Sequence, residues 1–199
     1  MSNKSEIVKI FESAAREAGK LIKKEFGKVT ESKVQSKDLG DFVTNTDLET
    51  ENILLNILKK NFPNSSYLTE ESDLFKGNDE TIVIDPIDGT SNFIHGIPSI
   101  GIVIARVYKE EITDGIIFNP VSDELFFATK DKGAWCNNEK LMVSHNKEIA
   151  NSLIGATIPH ANRGYNNYLN EIDNVAKKCA GFRCTGSAAI DLSLVASGK

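Results

Sequence analysis

The chain has 199 residues, which suffices for one large domain or two small ones, and 28 acidic against 23 basic residues give a net charge of -5. A mildly acidic chain gives no electrostatic reason to expect direct nucleic-acid binding or membrane-surface binding. Three cysteines without a CxxC pair indicate neither a disulfide framework nor a zinc site. The sequence shows no apolar signal core and no apolar run of membrane-spanning length, so we expect a cytoplasmic protein.

The first element is an amphipathic helix. Apolar residues recur at spacings of three and four from Ser5 to Phe26, with charged residues between them, and Gly27 is a natural stop. The polar stretch from Lys28 to Gly40 predicts an irregular or weakly extended connection. The chain therefore begins with one helix and a loose connector.

A second helix is predicted from Asp47 to about Phe62. Thr46 and Glu49 have the spacing of a capping box, so Asp47 has an ordinary structural explanation as a first-turn carboxylate favoured by the helix dipole. The predicted core face of this helix consists of Leu48, Leu54, Leu55 and Leu58.

A turn rich in carboxylates follows the apolar run Thr81-Ile82-Val83-Ile84, which predicts a buried strand. Pro86 cannot donate to a sheet, so strand pairing should stop there, and the step from Asp88 to Gly89 lets the backbone turn. If a helix begins at Thr90, the free amides at its positive end favour an anion, and two nearby carboxylates favour Mg²⁺. Asp-Pro and Asp-Gly are also ordinary turn formers, so this segment alone leaves both interpretations open.

Short strands flank this turn. Ser66 to Thr69 predicts a strand that ends in Glu70 and Glu71, which would be solvated acids in most proteins, and Ser72 to Glu80 predicts a polar loop. After the turn, turn-bounded apolar runs predict an antiparallel meander with further strands behind it. The predicted strands are Ile100 to Val107, Ile112 to Phe118, Glu124 to Thr129, Gly133 to Asn138 and Leu141 to Val143.

A composition shift at Ser144 to Glu148 suggests a domain boundary. We expect an α+β domain over 1–145 that carries most metal ligands, and the start of an α/β domain over 146–199. The predicted elements of the second part are a strand from Ser152 to Thr157, a helix from Tyr165 to Lys178 and a helix opened by Thr185-Gly186-Ser187 that runs to Gly198. The residues predicted to face inward on the first helix are Tyr168, Leu169, Ile172, Val175 and Ala176, and the second helix runs through Ala189, Leu192 and Val195.

Five motifs are distributed along the chain. They are Asp41-x-Val43-Thr44-x-x-Asp47, Glu70-Glu71-Ser72, Asp85-Pro86-Ile87-Asp88-Gly89-Thr90-x-Asn92-Phe93 with His95-Gly96 and Pro98, Gly133-Ala134-x-x-Asn137 to Val143-Ser144, and Gly186-Ser187-Ala188-Ala189-x-Asp191-Leu192. Together they resemble the inositol monophosphatase family of the lithium-sensitive, Mg²⁺-dependent phosphatase superfamily, in its bacterial form. The likeness covers nearly the whole chain.

The resemblance implies a set of site residues. Glu70, Asp85 and the carbonyl of Ile87 would hold one Mg²⁺, while Asp85 and Asp88 would hold a second. Thr90 and Asp47 would take a proton from the attacking water, with Glu70 also counted as catalytic. Gly89 and Thr90 would bind the phosphate through their amides, Gly186, Ser187 and Ala188 would lie near the sugar-alcohol part, and Asp88 is a further implied substrate contact. Lys37 and Glu71 would supply charge beside the site, although each is equally well explained as a solvated surface charge.

The resemblance also implies a fold and an activity. The fold would be α+β with α/β, a layered α-β-α-β-α sandwich whose C-terminal layer is incomplete here. The activity would be hydrolysis of myo-inositol monophosphate, or of a similar small polyol phosphate, by metal-activated water, in an enzyme that is commonly a homodimer. Relatives in the family continue further and include a Trp-Asp step that completes the second metal site. The chain would therefore be either a truncated version of a longer enzyme or a product with reduced or absent activity, and we expect it to bind its second Mg²⁺ poorly.

Other functions remain open. A sister enzyme of the superfamily would act on fructose 1,6-bisphosphate or on a 3′-phosphonucleotide, because the metal site does not choose the leaving group. A non-catalytic role is also open, since a bacterial branch of the family associates with the transcription machinery. The sequence thus predicts the chemistry of the site more narrowly than its substrate.

Overall fold

The computed structural model describes residues 4–28, 34–38, 41–71, 79–156 and 165–199, and for 34–38, 41–43 and 165–167 it describes the backbone alone. Its helices and mixed sheet agree with the expected α+β fold class. The helices are α1 (Glu6–Glu25), α2 (Asn45–Asn61), α3 (Thr90–His95), α4 (Tyr165–Ala176) and α5 (Ala188–Ala196), with a 3₁₀ turn at Ile149–Asn151. The strands are β1 (Val34–Asp38), β2 (Asp41–Thr44), β3 (Ser66–Thr69), β4 (Glu80–Asp88), β5 (Gly101–Tyr108), β6 (Glu111–Asn119), β7 (Glu124–Thr129), β8 (Gly133–Cys136), β9 (Glu139–Lys140), β10 (Leu153–Gly155) and β11 (Gly181–Arg183).

The main sheet has the strand order β3-β4-β5-β6-β7-β8-β9. β5, β6 and β7 pair antiparallel in sequence, which confirms the predicted meander. β3 instead runs parallel to β4, with Thr69 opposite Ile84. This parallel ladder ends there, so the next residues, Glu70 and Asp85, lie side by side, while Asp85 stays paired with Val103 of β5.

The helices α1 and α2 cover one face of this sheet. Phe11 of α1, Leu54 of α2 and Ile104 of β5 are fully buried members of one apolar core. The predicted helix from Ser5 to Phe26 is confirmed, with Ser5 as its N-cap. The opposite face of the sheet carries α5.

The start of α2 differs from the prediction. The helix begins at Asn45 rather than Asp47, and its capping box is formed by Thr44 and Asp47, not by Thr46 and Glu49. The reason is that Thr44 ends β2 in an extended conformation, which is the backbone geometry of an N-cap residue. Leu48, predicted to face the core, is 40% exposed.

Two further predictions have opposite outcomes. Part of the expected connector from Lys28 to Gly40 forms β1, which pairs antiparallel with β2, so the extended form of the prediction holds there. No strand forms over Leu141 to Val143; the chain instead turns after β8 and pairs Glu139–Lys140 back onto it as β9. Most of the predicted loop from Ser72 to Glu80 lies outside the described residues.

The C-terminal part contains a second, parallel pair, β10 with β11. The predicted strand and both predicted helices are present as β10, α4 and α5, although Thr157 lies outside the described residues. Leu169 of α4, predicted to face inward, is exposed. Leu192 and Val195 are exposed as well, because α5 turns Ala189 and Ser193 toward the interior. Ala176 is exposed too. The boundary between 1–145 and 146–199 stays a prediction.

No helix within the described ranges is both long and apolar enough to cross a membrane.

Candidate active site

Three carboxylates lie close together at the ends of β3 and β4. Glu70 follows β3 directly, and Asp85 and Asp88 bound the last four residues of β4. Burial and then the charges of Glu70 and Asp88 hold the pKa of Asp85 well above its usual range, and Glu70 also shares a hydrogen bond with Asp85. The sheet therefore brings three of the predicted metal ligands close enough for their charges to interact.

This donor set suits a divalent cation. Carboxylates are the hard oxygen ligands that Mg²⁺ prefers, and a cation would relieve the mutual repulsion that now raises the pKa of Asp85. Even so, no group of three or more His, Cys, Asp or Glu side chains within the described parts of the chain converges closely enough to hold an ion. The two observations agree, because charges act over longer distances than the ~2.1 Å of a Mg²⁺–oxygen bond.

Pro86 breaks the β4 ladder as predicted, but the strand continues beyond it. β4 pairs with β5 through Asp85, and pairing resumes when Asp88 meets Gly101. Between them Ile87 is buried, and its N–H donates to Asp85 Oδ1 at 3.1 Å. The backbone of Ile87 is thereby fixed beside the carboxylates.

Gly89 turns the chain from β4 into α3. It has a φ of +91°, which side chains rarely adopt, and a Cβ there would lie 2.8 Å from the Ser99 carbonyl oxygen. The helix α3 then begins at Thr90, as predicted. No side chain in the described residues caps its first turn.

Asp47 and Thr90 are brought together from distant parts of the chain. Thr90 Oγ1 donates to Asp47 Oδ1 at 3.1 Å, and the Ile87 carbonyl oxygen is an equally distant acceptor for the same hydroxyl. Asp47 Oδ2 accepts from the N–H and the hydroxyl of Thr44, at 2.9 and 2.6 Å. Burial raises the pKa of this fully enclosed carboxyl, while the hydrogen bonds from Thr44 and Thr90 act against that rise.

The segment before α5 reaches the same turn. Ser187 is the N-cap of α5, and its hydroxyl bonds to Asp88 Oδ2, which also accepts the Ala189 N–H at 2.8 Å. The structure thus brings Gly186, Ser187 and Ala188 beside Asp88, although 99 positions separate Ser187 from Asp88.

Lys37 and Glu71 are the two charged residues predicted to flank the site, and the structure describes the surroundings of Glu71 alone. Lys37 lies in β1, and its side chain is outside the described residues. The charge of Glu71 contributes to the raised pKa of Asp47, so this side chain lies near the candidate site.

Three contributing residues were given no role from the sequence, although Thr44 and Asn92 belong to the motifs that carry the resemblance. Thr44 anchors Asp47, buried Glu51 accepts the Glu71 N–H at 3.1 Å, and Asn92 connects α3 to Thr185. The spacing of Thr44 and Asp47 is itself a capping signal that could have revealed the first. Glu51 lies one turn after Asp47, but nothing in the local pattern indicated that it is buried.

Comparison with known proteins gives the same assignment along the whole chain. The sequence model of the inositol monophosphatase family matches residues 3–199. An inositol-1-monophosphatase of Mesorhizobium japonicum is 36% identical over 98% of this chain and 75% of its own length. The Nus factor SuhB of Escherichia coli K12 is 35% identical over 94% of this chain and 71% of its own. The crystal structure of the extragenic suppressor protein suhB from Bartonella henselae superposes with a TM-score of 0.91 and 36% identity, over 98% of this chain and 75% of that one. The chain belongs to the inositol monophosphatase family.

Proposed function

We propose that the protein is a Mg²⁺-dependent phosphomonoesterase that hydrolyses myo-inositol monophosphate or a similar small polyol phosphate. The observation that carries this proposal is the hydrogen bond from Thr90 Oγ1 to the buried Asp47, formed beside the carboxylates at the ends of β3 and β4. Membership of the family supports the reaction class. The relatives named inositol-1-monophosphatase support the substrate class.

Glu70, Asp85, the Ile87 carbonyl oxygen and Asp88 would hold the metal. When bound, Mg²⁺ would neutralise the negative charge that develops on the attacking and leaving oxygens. This contribution is needed, because hydrolysis of a phosphate monoester requires acceleration of up to ~10²¹, of which a general base typically supplies ~10²–10⁴.

The proton path would use Thr90 and Asp47. The Thr90 hydroxyl donates its hydrogen to Asp47 Oδ1, which leaves the Thr90 oxygen able to accept a proton from a water molecule. Burial raises the pKa of Asp47, so this carboxyl is a better base than a solvated aspartate. Thr44 holds the other oxygen of Asp47 and fixes its orientation.

The substrate would lie between two backbone turns. The amides of Gly89 and Thr90, at the start of α3, would bind the phosphate group. Gly186, Ser187 and Ala188, at the start of α5, would contact the polyol together with Asp88. The contacts of Asp88 with Ser187 and Ala189 support a site in which both turns act together.

A panel of phosphate-release assays tests the proposal. The substrates are myo-inositol 1-phosphate, fructose 1,6-bisphosphate and a 3′-phosphonucleotide, each assayed with Mg²⁺ and with EDTA. We expect Mg²⁺-dependent release that is fastest from the inositol phosphate. Faster release from either alternative would assign a sister activity of the superfamily, and no release from any substrate would refute a phosphatase.

A role with the transcription machinery is the second candidate, because one relative is named a Nus factor. A pull-down with RNA polymerase and its elongation factors, using wild type and Thr90→Ala, separates the two functions. Equal retention of the wild type and of Thr90→Ala would support the second role. If neither the wild type nor the variant is retained, the second role is refuted.

We also propose a cytoplasmic homodimer. Light scattering coupled to gel filtration and cell fractionation test the two parts of this statement.

A further inference from the structure

Two chain segments far apart in sequence are joined beside the candidate site. One runs over 88–92, from the end of β4 into α3, and the other over 185–189, from the end of β11 into α5. We call their contact the joint. Asp88 supplies its first link through the bonds to Ser187 and Ala189.

Asn92 supplies the second link. Its side chain is 8% exposed, and Nδ2 donates to the Ser99 and Thr185 carbonyl oxygens, both at 2.7 Å. Both hydrogens of the amide group are therefore used, one toward the 97–99 connection and one toward the α5 segment. A carbonyl oxygen that loses such a buried partner is costly to leave unsatisfied.

The joint is also packed without spare room. Gly186 has a φ of +80°, and a Cβ on it would lie 3.0 Å from Asn92 Nδ2. A Cβ on Gly89 would lie 3.3 Å from the Gly186 carbonyl oxygen. Gly186 therefore lies directly against the Asn92 amide, whose bonds to Ser99 and Thr185 resist separation of the two turns.

We infer that Asn92 is a positioning residue for recognition of the leaving group. It would hold Gly186, Ser187 and Ala188 at a fixed distance from the phosphate-binding turn, without itself touching the reacting atoms. This inference rests on the proposed function. It predicts that loss of the amide loosens the α5 segment. Binding of the polyol part should then weaken, whereas the rate of phosphate release from the bound substrate should change little.

Asn119 provides a matched control. It is also an asparagine, 4% exposed, whose Nδ2 donates to a backbone oxygen of the 97–99 connection, that of Pro98, at 2.9 Å. Its Oδ1 accepts from the Val121 and Ser122 N–H groups in a local turn, so these hydrogen bonds of Asn119 do not reach the α5 segment. Substitution of Asn119 should lower the free energy of unfolding without breaking the contact between the two segments of the joint.

The test compares Asn92→Asp and Asn92→Ala with Asn119→Ala in the full chain. The first variant keeps the shape of the side chain but offers no hydrogen to Thr185, and the second removes the donor without adding charge. Hydrogen exchange followed by mass spectrometry reports directly on the joint, since the Ala189 and Ile190 amides are bonded to Asp88 and Ser187. We expect faster exchange over 186–190 in both Asn92 variants and wild-type exchange there in Asn119→Ala.

Kinetics supply the second measurement. The KM for myo-inositol 1-phosphate should rise about two- to tenfold in the Asn92 variants, the range expected for loss of one buried hydrogen bond. The kcat for this substrate should stay within about twofold, as should the kcat and KM for 4-nitrophenyl phosphate, whose leaving group is not a polyol. In Asn119→Ala, the ratio of the KM values for the two substrates should equal that of the wild type.

Unchanged exchange over 186–190 in Asn92→Ala would overturn the inference, and so would an equal rise in KM in Asn119→Ala. If Asn92→Asp does not fold, Asn92→Ala decides alone. If the wild type hydrolyses neither substrate, the proposed function fails, and the exchange measurement still decides whether Asn92 holds the joint.

Discussion

Replacement of Asp47 by asparagine separates the two tasks of this residue. One oxygen of Asp47 caps α2 through Thr44, and the other accepts the hydroxyl hydrogen of Thr90. In Asp47→Asn the remaining carbonyl oxygen can face Thr44 and preserve the cap. The new amide group then donates to Thr90 Oγ1, and the Thr90 hydrogen turns to the Ile87 carbonyl oxygen at 3.1 Å.

The two tasks predict effects of different size. Each hydrogen bond of Asp47 has a substitute, and a buried carboxyl whose ionised form is disfavoured is replaced by a neutral group, so we expect unfolding free energy to change by less than about 1 kcal/mol. Activity should fall far more, because the Thr90 oxygen would now receive a hydrogen and could not take a proton from water. The expected loss in kcat/KM is about 10²–10⁴, or roughly 3–5 kcal/mol.

A double-mutant cycle with Thr90→Ala tests whether the pair acts as a unit. If each single substitution lowers kcat/KM about a thousandfold, the double variant should also show a loss of about a thousandfold rather than a millionfold. Phosphate release under single-turnover conditions measures the chemical step, and urea unfolding checks the cap. A double variant near the product of the two losses would refute the paired mechanism, and so would an Asp47→Asn enzyme within tenfold of wild type.

Three further predictions concern the surroundings of this pair. Mg²⁺ at about 100 times its Kd should stabilise the wild type by about 2.7 kcal/mol, and Asp85→Asn should lose most of the shift in melting temperature relative to EDTA; an equal shift in both would contradict its role as a ligand. Ser187→Ala removes the N-cap of α5 and the bond to Asp88, so urea unfolding should show a loss of about 0.5–2 kcal/mol. Glu51→Ala should weaken Mg²⁺ binding in the same thermal assay, because Glu51 holds the backbone next to Glu70; Thr50→Val, at a neighbouring buried position, is the control and should not.

Elements with a local cause were predictable from the sequence. The helix α1 follows from apolar spacing and from its Ser5 cap, and the meander follows from apolar runs separated by turn residues. The turn at Gly89 was predictable for the same reason, since Pro86 restricts the backbone locally and Gly89 permits the positive φ that the turn requires. In each case the determining residues lie within the element or beside it.

Exposure was less predictable, because it depends on what covers a surface. The spacing of Leu169, Leu192 and Val195 gives their helices an apolar stripe, yet all three are exposed. In α5 the small residues Ala189 and Ser193 approach the interior instead, which places the larger side chains outward. Periodicity shows that a helix has two faces, whereas packing decides which face is covered.

The candidate site lies between these two cases. Its acidic residues could be named because each follows the end of a predicted element, but their partners could not, since Thr90 meets Asp47 across 43 positions and Asn92 meets Thr185 across 93. The two explanations of Asp47, as a helix cap and as part of a reacting pair, also prove compatible, because they use different oxygens of one carboxylate. A cap fixes the orientation of a side chain at the start of a rigid helix, and a fixed orientation is what a proton acceptor requires. The cap at Thr44 is therefore part of how the fold would position the proposed base, and a sequence pattern that explains a carboxylate structurally does not weaken its functional interpretation.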